Sequence, residues 1–179
     1  MIFRRNMDKD TLFERLLDLL SGSYDITRPA MIAGRNADAL ARLIALNSKY
    51  VLDRKHTLWE ANAFEYAAIL RTGALTTAEA ADWFRHMTVS AEAELVHPEG
   101  KYPPEGHMYS YLTVILLCDR VTPEAAEAVR RMRFTKNYLF SLRGWAEGRI
   151  LAVDCGTGES FCNRKGQELK QLTDRLLSK

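Results

Sequence analysis

The richest chemistry in this chain lies between two imidazoles, in the loop His97-Pro-Glu-Gly-Lys-Tyr-Pro-Pro-Glu-Gly-His107. The loop carries two carboxylates, Glu99 and Glu105, and Glu94-x-x-His97 leads into it as an i,i+3 pair. Di-iron carboxylate bundles place Glu-x-x-His on their inner faces, but they need a second copy and two further glutamates. This sequence has no second copy. A mononuclear centre needs less. His97, His107 and one carboxylate, Glu94 by its spacing, are three N/O ligands of the kind that hold zinc with an open position. The plainer reading is a polar loop stiffened by three prolines. No pattern in the chain calls for a cofactor.

Directly after the loop come Tyr109, Ser110, Tyr111 and Thr113, whose hydroxyls would line a polar pocket beside the core. His107, Tyr109 and Tyr111, with Trp145 further along, are the ligand-binding candidates. His107 and Cys118 also form a nominal thiol–imidazole pair. On one helix, a rise of about 1.5 Å per residue would part them by roughly 16 Å, and proton transfer needs contact distance. Cys118 therefore reads as an inert core thiol.

Two further patterns carry weaker signals. Leu151-Ala-Val-Asp-Cys-Gly-Thr-Gly-Glu-Ser160 resembles the strand–Asp-x-Gly-Thr turn of the actin and sugar-kinase superfamily's phosphate loop. That resemblance implies backbone amides near phosphate and an Asp near a metal. The family's fold places a large mixed sheet after the motif, and 19 residues follow Ser160 here. Gly156 and Gly158 are accordingly read as the glycines of a tight hairpin turn. The second pattern is basic. Arg130, Arg131, Arg133 and Lys136, continued by Arg143, Arg149, Arg164 and Lys165, are interleaved with Tyr138, Phe140 and Trp145. Cations with stackable rings are what a single-stranded nucleic-acid platform needs. Residues 120–179 carry 12 Lys/Arg against 7 Asp/Glu, a balance of +5. That is modest for a nucleic-acid binder, so Arg130, Arg131, Arg133 and Lys136 are read as a nucleic-acid or partner surface, with nucleic acid the less favoured of the two.

The whole chain has 179 residues, 47% hydrophobic and 27% charged, with a net charge of +2. One domain with a real core is expected. No apolar h-region follows Met1-Ile-Phe-Arg-Arg, and the apolar run Tyr111–Cys118 is far shorter than the roughly 20 residues that span a bilayer. Three cysteines, Cys118, Cys155 and Cys162, make an odd, sparse set suited to free thiols in a reducing cytoplasm.

The elements that must position these groups read mostly as helices. Thr11-x-x-Glu14 is a capping box ahead of the stripe Leu12, Phe13, Leu16, Leu17 and Leu20. Helical spacing recurs from Asn36 (Leu40, Ile44, Asn47, Val51) and behind Thr57-x-x-Glu60 (Trp59, Ala63, Tyr66, Ala67, Leu70). Thr76-x-x-Glu79 starts a helix with inner face Ala80, Trp83, Phe84, Met87 and Ala91, ending near His97. Met108–Cys118 is apolar nearly all round, as a central core helix would be. Thr122-Pro123-Glu124 restarts. Past Phe134, short β-rich runs at Tyr138–Leu142, Arg149–Asp154 and Ser160–Cys162 predict a hairpin or meander, resting on helices through Phe140, Trp145 and Ile150. Leu169, Leu172, Leu176 and Leu177 close the chain as an amphipathic helix.

Phe64–Met87 also lies over Tyr109–Met132 without gaps at a shift of 45. Tyr66/Tyr111, Thr77/Thr122, Glu79/Glu124, Ala80/Ala125, Ala81/Ala126, Arg85/Arg130 and Met87/Met132 are identical. Each copy reads as a helical hairpin. The expected fold is thus a single, mainly α (α+β) domain. A multi-helix orthogonal or hairpin bundle covers residues 1–133, a small antiparallel β-hairpin or three-stranded meander 134–163, and a C-terminal helix 164–179. The expected function is a cytoplasmic, non-catalytic interaction or accessory module, self-associating as a homo-oligomer or bound to a protein partner. The alternatives are a small enzyme or ligand or metal binder with a pocket at the 97–107 loop, and a weak nucleic-acid binder through the basic C-terminal third.

Overall fold

The computed structural model describes the backbone of residues 7–50 and 57–178 and the side chains of residues 7–43 and 63–178. In chain order the elements are α1 (Lys9–Ser21), β1 (Asp25–Thr27), β2 (Ala30–Ile32), β3 (Arg35–Ala37), β4 (Ala39–Tyr50), β5 (Thr57–Leu75), α2 (Thr77–Arg85), a π turn (His86–Ser90) and α3 (Glu92–Val96). They continue with β6 (His107–Val121), α4 (Pro123–Arg131), β7 (Thr135–Asn137), β8 (Trp145–Asp154), β9 (Glu159–Cys162), a 3₁₀ turn (Arg164–Gly166) and α5 (Gln167–Leu177). Seven strands form one mixed sheet in the order β1-β4-β5-β6-β8-β7, with β9 also beside β8. β4 and β5 are antiparallel, whereas β5, β6 and β8 run parallel.

This sheet overturns the mainly helical reading, along with the all-α and helical-hairpin descriptions that went with it. The reason is burial on two sides. Every residue from Leu112 to Cys118 is fully buried, because β6 lies mid-sheet with helices on both faces. Leu112, Val114, Leu116 and Cys118 meet α2, α3 and α4, while Ile115 and Leu117 meet α1 and α5. A parallel strand covered on both faces is a continuous apolar run, without the alternation that marks a half-exposed strand. β5 hides in the same way, since Tyr66, Ala67, Ala68, Ile69 and Leu70 are buried one after another. The stretches from Asn36 and from Thr57, read above as helices, belong to β3–β4 and to β5, while Val51 lies outside the described residues.

The self-match survives in altered form. Each copy is a strand followed by a Thr-capped helix, and the offset is 46. β5 pairs with β6 as Ile69↔Ile115 and Leu70↔Leu116, and the N-caps are Thr76 and Thr122. The offset of 45 would equate Tyr66 with Tyr111, which face opposite sides of the sheet: Tyr66 sits in the core under α2, and Tyr111 lies under the Arg149 guanidinium on the other side.

Other expectations hold. α1 buries Leu12, Phe13, Leu16, Leu17 and Leu20, with Asp8 as the N-cap in place of Thr11. β8 and β9 pair antiparallel, but as part of the seven-stranded sheet and not as the separate small hairpin that was expected. Tyr138–Leu142 is a tight turn where a strand was expected, and Phe140 stands 99% exposed where it was expected to rest on helices.

Gly148 marks the tightest seam between β8 and the helices, since a Cβ there would lie 2.6 Å from the Phe84 ring and 2.9 Å from Phe134 Cβ. Gly148→Ala is expected to lower unfolding free energy by about 1–3 kcal/mol through overpacking. Gly73→Ala, with nothing within 4 Å of the added methyl, should stay within about 0.5 kcal/mol of the parent. Urea denaturation of the two variants measures the contrast.

Candidate functional site

α1 and α5 cover only part of their face of the sheet. Over that part the strands present Ile69, Ile115, Leu117, Leu151 and Val153. Toward the other end of the same strands, on the same face, stand Glu65, Tyr109, Tyr111, Thr113, Trp145, Glu147 and Arg149. Pairing aligns them in rows: Tyr109 beside Trp145, Tyr111 between Glu65 and Glu147, Thr113 beside Arg149. The rings and the guanidinium form a ladder. Trp145 stacks on Tyr109 at 5.9 Å, Tyr109 meets Tyr111 at 4.8 Å, and the Arg149 guanidinium carbon sits 3.2 Å from the Tyr111 ring centroid. Such cation–π contacts strengthen as they are desolvated.

Glu65 anchors the ladder's charged end. Tyr24 donates to one carboxylate oxygen at 2.7 Å, and Arg149 Nη1 and Thr113 approach the other at 3.3 and 3.4 Å. The Glu65 and Arg149 side chains are only 13% and 12% exposed. Burial and the neighbouring Glu65 charge push the Tyr24 phenol well up, so it stays a proton donor. One group is left over: Arg149 Nε–H is buried without an acceptor. Arg149, Glu65 and Tyr24 line a cavity of about 250 Å³, walled by Leu20, Ile115, Leu169 and Leu172, with the exposed carboxylate of Glu168 on its lining as well.

Of the predicted ligand-binding residues, the structure brings Tyr109, Tyr111 and Trp145 together and sends His107 to the opposite face. The β5–β6 register shifts between Asn62↔His107 and Ala63↔Tyr109, which turns His107 toward Phe64 and Tyr138. Ser110 lies 2.8 Å from its Nε2 and the Arg143 carbonyl 2.7 Å from its Nδ1. These partners assign a neutral ring that donates from Nδ1 and accepts from the serine. Ser110 is fully buried and His107 nearly so, so the serine has no route to a substrate.

The predicted metal ligands take separate partners. Glu94 accepts from the Ala33 amide, His97 faces Glu92 at 3.1 Å, and among the described residues no three His, Cys, Asp or Glu side chains gather as a metal site. Glu92, buried, is the centre of its own network: Lys136 donates at 2.7 Å and the buried Tyr138 hydroxyl donates as well. The residues of the predicted basic surface have local partners. Lys136 serves Glu92, Arg131 pairs with Glu127 at 2.8 Å, Arg133 donates to the Arg130 carbonyl at 2.7 Å, and Arg130 lies over Phe161 at 5.0 Å. In the Asp-x-Gly-Thr turn, Asp154 accepts from the amides of Val121 and Thr157, tying β6 to the hairpin. All three thiols are buried, and burial pushes each up, Cys155 to about 11.

Glu65, Tyr24 and Glu168 escaped the sequence reading, and Arg149 was read only as part of a basic surface. A signal was present. Tyr109/Tyr111/Thr113 and Trp145/Glu147/Arg149 each recur at i, i+2, i+4, the period of one strand face.

The chain belongs to the family described as a domain of unknown function (DUF8052), whose model matches residues 8–174. No curated protein and no solved structure matches it.

The two buried networks set the acid sensitivity of the fold. Burial holds His107 below its ordinary 6.5, more than offsetting the Arg143 carbonyl. For Glu92, burial alone would raise the carboxyl, but hydrogen bonds from Lys136 and Tyr138 outweigh it and hold the group below 4.5. In both cases the unfolded chain takes up a proton more readily than the folded one, so stability is full at higher pH and is lost as pH falls. Chemical denaturation at a series of pH values should show one loss beginning near 6.5 and a second below 4.5. His107→Asn is expected to remove the first and Glu92→Gln the second, whatever each does to stability at neutral pH.

Proposed function

We propose that this protein is a non-catalytic binding module of the cytoplasm whose ligand is a small zwitterion with an apolar body, of the class of a free amino acid. The observation that carries this reading is the acceptorless Nε–H of Arg149 in a side chain that lines a cavity. A buried donor left unpaired costs about 1–3 kcal/mol, and a ligand carboxylate would remove that cost once the guanidinium turns its Nε edge into the cavity. Glu65 is already saturated by Tyr24, Thr113 and Arg149, whereas Glu168 is exposed in the first turn of α5. An ammonium facing Glu168 would balance a carboxylate on Arg149. Leu20, Ile115, Leu169 and Leu172 would receive the apolar body.

Three features support a binding role over catalysis. The Ser110–His107 pair is sealed, the thiols are buried with raised pKa values, and the Tyr24 phenol is held protonated. Free buried thiols also suit a reducing compartment. No helix among the described residues is long and apolar enough to cross a membrane.

Calorimetric titration of the full chain with apolar and aromatic L-amino acids tests the proposal, with Trp145 fluorescence as a second readout. Binding at a Kd of about 1 mM or tighter is expected, worth about 4 kcal/mol. N-acetylation or amidation of the ligand should each abolish it. Arg149→Lys keeps the charge but loses the Nε–H edge, so it should weaken binding about tenfold or more, or roughly 1.4 kcal/mol. Equal affinity for free and doubly capped amino acids, or no heat with any free amino acid at millimolar concentration, would sink the reading.

A further inference from the structure

The turn between β7 and β8 is built in an unusual conformation and displays unusual residues. Leu139, Phe140 and Ser141 have φ of 48°, 52° and 69°, three successive non-glycine residues in the left-handed region, and Gly144 follows at 74°. L-residues enter that region at a cost because Cβ crowds the following carbonyl. The turn is nonetheless closed by short backbone bonds, Leu142 N–H to Leu139 O at 3.0 Å, Arg143 N–H to Tyr138 O at 3.1 Å and Gly144 N–H to Ser141 O at 3.1 Å. Its base is fixed by the buried Tyr138 and by His107 on the Arg143 carbonyl. On this rigid frame Phe140 is 99% and Leu142 84% exposed. Strained conformations of this kind cluster at functional segments, and adjoining exposed apolar side chains mark interaction sites.

Next to this knob lies a hole. His97, Pro98, Tyr102, Pro103 and Pro104 wall a cavity of about 430 Å³, and Arg143 of the turn itself forms part of its lining. Knob and hole therefore share one patch. The lining carries both signs of charge, Arg143 against Glu99. A surface that presents a projection beside its own acceptor, with both charges, is complementary to itself about a two-fold axis.

We propose that two copies of this chain associate through this patch, Phe140 of each entering the proline- and tyrosine-walled cavity of the other. The contact is isologous, so it closes at a dimer. It is independent of the ligand site, which lies on another face of the sheet.

Sedimentation velocity of the full chain over a concentration series tests the assembly, and a photo-reactive phenylalanine analogue at position 140 tests the geometry. A dimer that Phe140→Ser shifts to monomer by at least tenfold in Kd, with an unchanged melting temperature, is expected. Cross-links from position 140 should join two copies at residues 97–104. Leu142→Ser should weaken the dimer as well and serves as the second variant if Phe140→Ser folds poorly. A monomer at every concentration overturns the proposal. So does a dimer insensitive to both substitutions, a cross-link outside 97–104, or Phe140-dependent binding of the monomer to phosphatidylglycerol vesicles, which would make the knob a lipid contact.

Discussion

The whole arrangement depends on β6 being apolar on both sides. A strand whose residues from Leu112 to Cys118 are all sealed from water cannot lie at an edge or under a single layer. It requires parallel neighbours on both flanks and helices above and below. β5 and β8 supply the first condition. The second divides unevenly. α2, α3, the π turn and α4 cover one face generously, whereas α1 and α5 reach only as far as Ala67, Ile115 and Leu151 on the other. Where those two helices stop, the strands switch within two residues from aliphatic to Glu65, Thr113 and Arg149. The site exists because the second helical layer is short.

Charge buried on a sheet face is costly unless each member finds partners, and the two buried ionic networks meet that demand differently. Around Glu92, each carboxylate oxygen is engaged, by Lys136 on one side and by Tyr138 and His97 on the other. That network locks α3 to the start of the β7–β8 turn. Around Arg149 the accounting is incomplete, since one Nη1 contact at 3.3 Å and a stacked tyrosine leave the Nε–H without an acceptor. A satisfied network stabilises a fold; an unsatisfied donor beside a cavity is what a ligand completes. This contrast separates the candidate site from the His97–His107 region, where the sequence placed the chemistry.

What was legible in the sequence follows from which periodicities survive burial. The starts of α2 and α4 were readable because caps are local: Thr76 accepts from Glu79 N–H and Thr122 from Ala125 N–H, as their spacing implies. The amphipathic α1, α2 and α5 kept their 3.6-residue stripes. β5 and β6 were misread because strands covered on both sides lose the alternation that would identify them, and a run of apolar residues without period fits a core helix equally well. Alanine at 61, 63, 67 and 68 and glutamate at 60 and 65 added helix propensity that tertiary pairing overrode. The ligand candidates Tyr109, Tyr111 and Trp145 were nevertheless identified, since their chemistry does not depend on the element that carries them. Arg149 was assigned to a basic surface because nothing local reveals that its partner, Glu65, is two strands away.

The crossing of the chain at Gly144 connects these observations. A Cβ at that position would lie 2.0 Å from the Met108 carbonyl oxygen and 2.8 Å from His107 Nδ1, and its φ is 74°. Only glycine fits. The residue before it, Arg143, gives its carbonyl to His107; the residue after it, Trp145, begins the aromatic ladder. Six residues earlier, Tyr138 is held by Glu92. The left-handed turn that carries Phe140 is thus clamped at one end to the helical face and at the other to the open sheet face. That clamp explains how three residues can remain at positive φ although Phe140 itself is unpacked, and why the apolar tip stays projected instead of folding back onto the core.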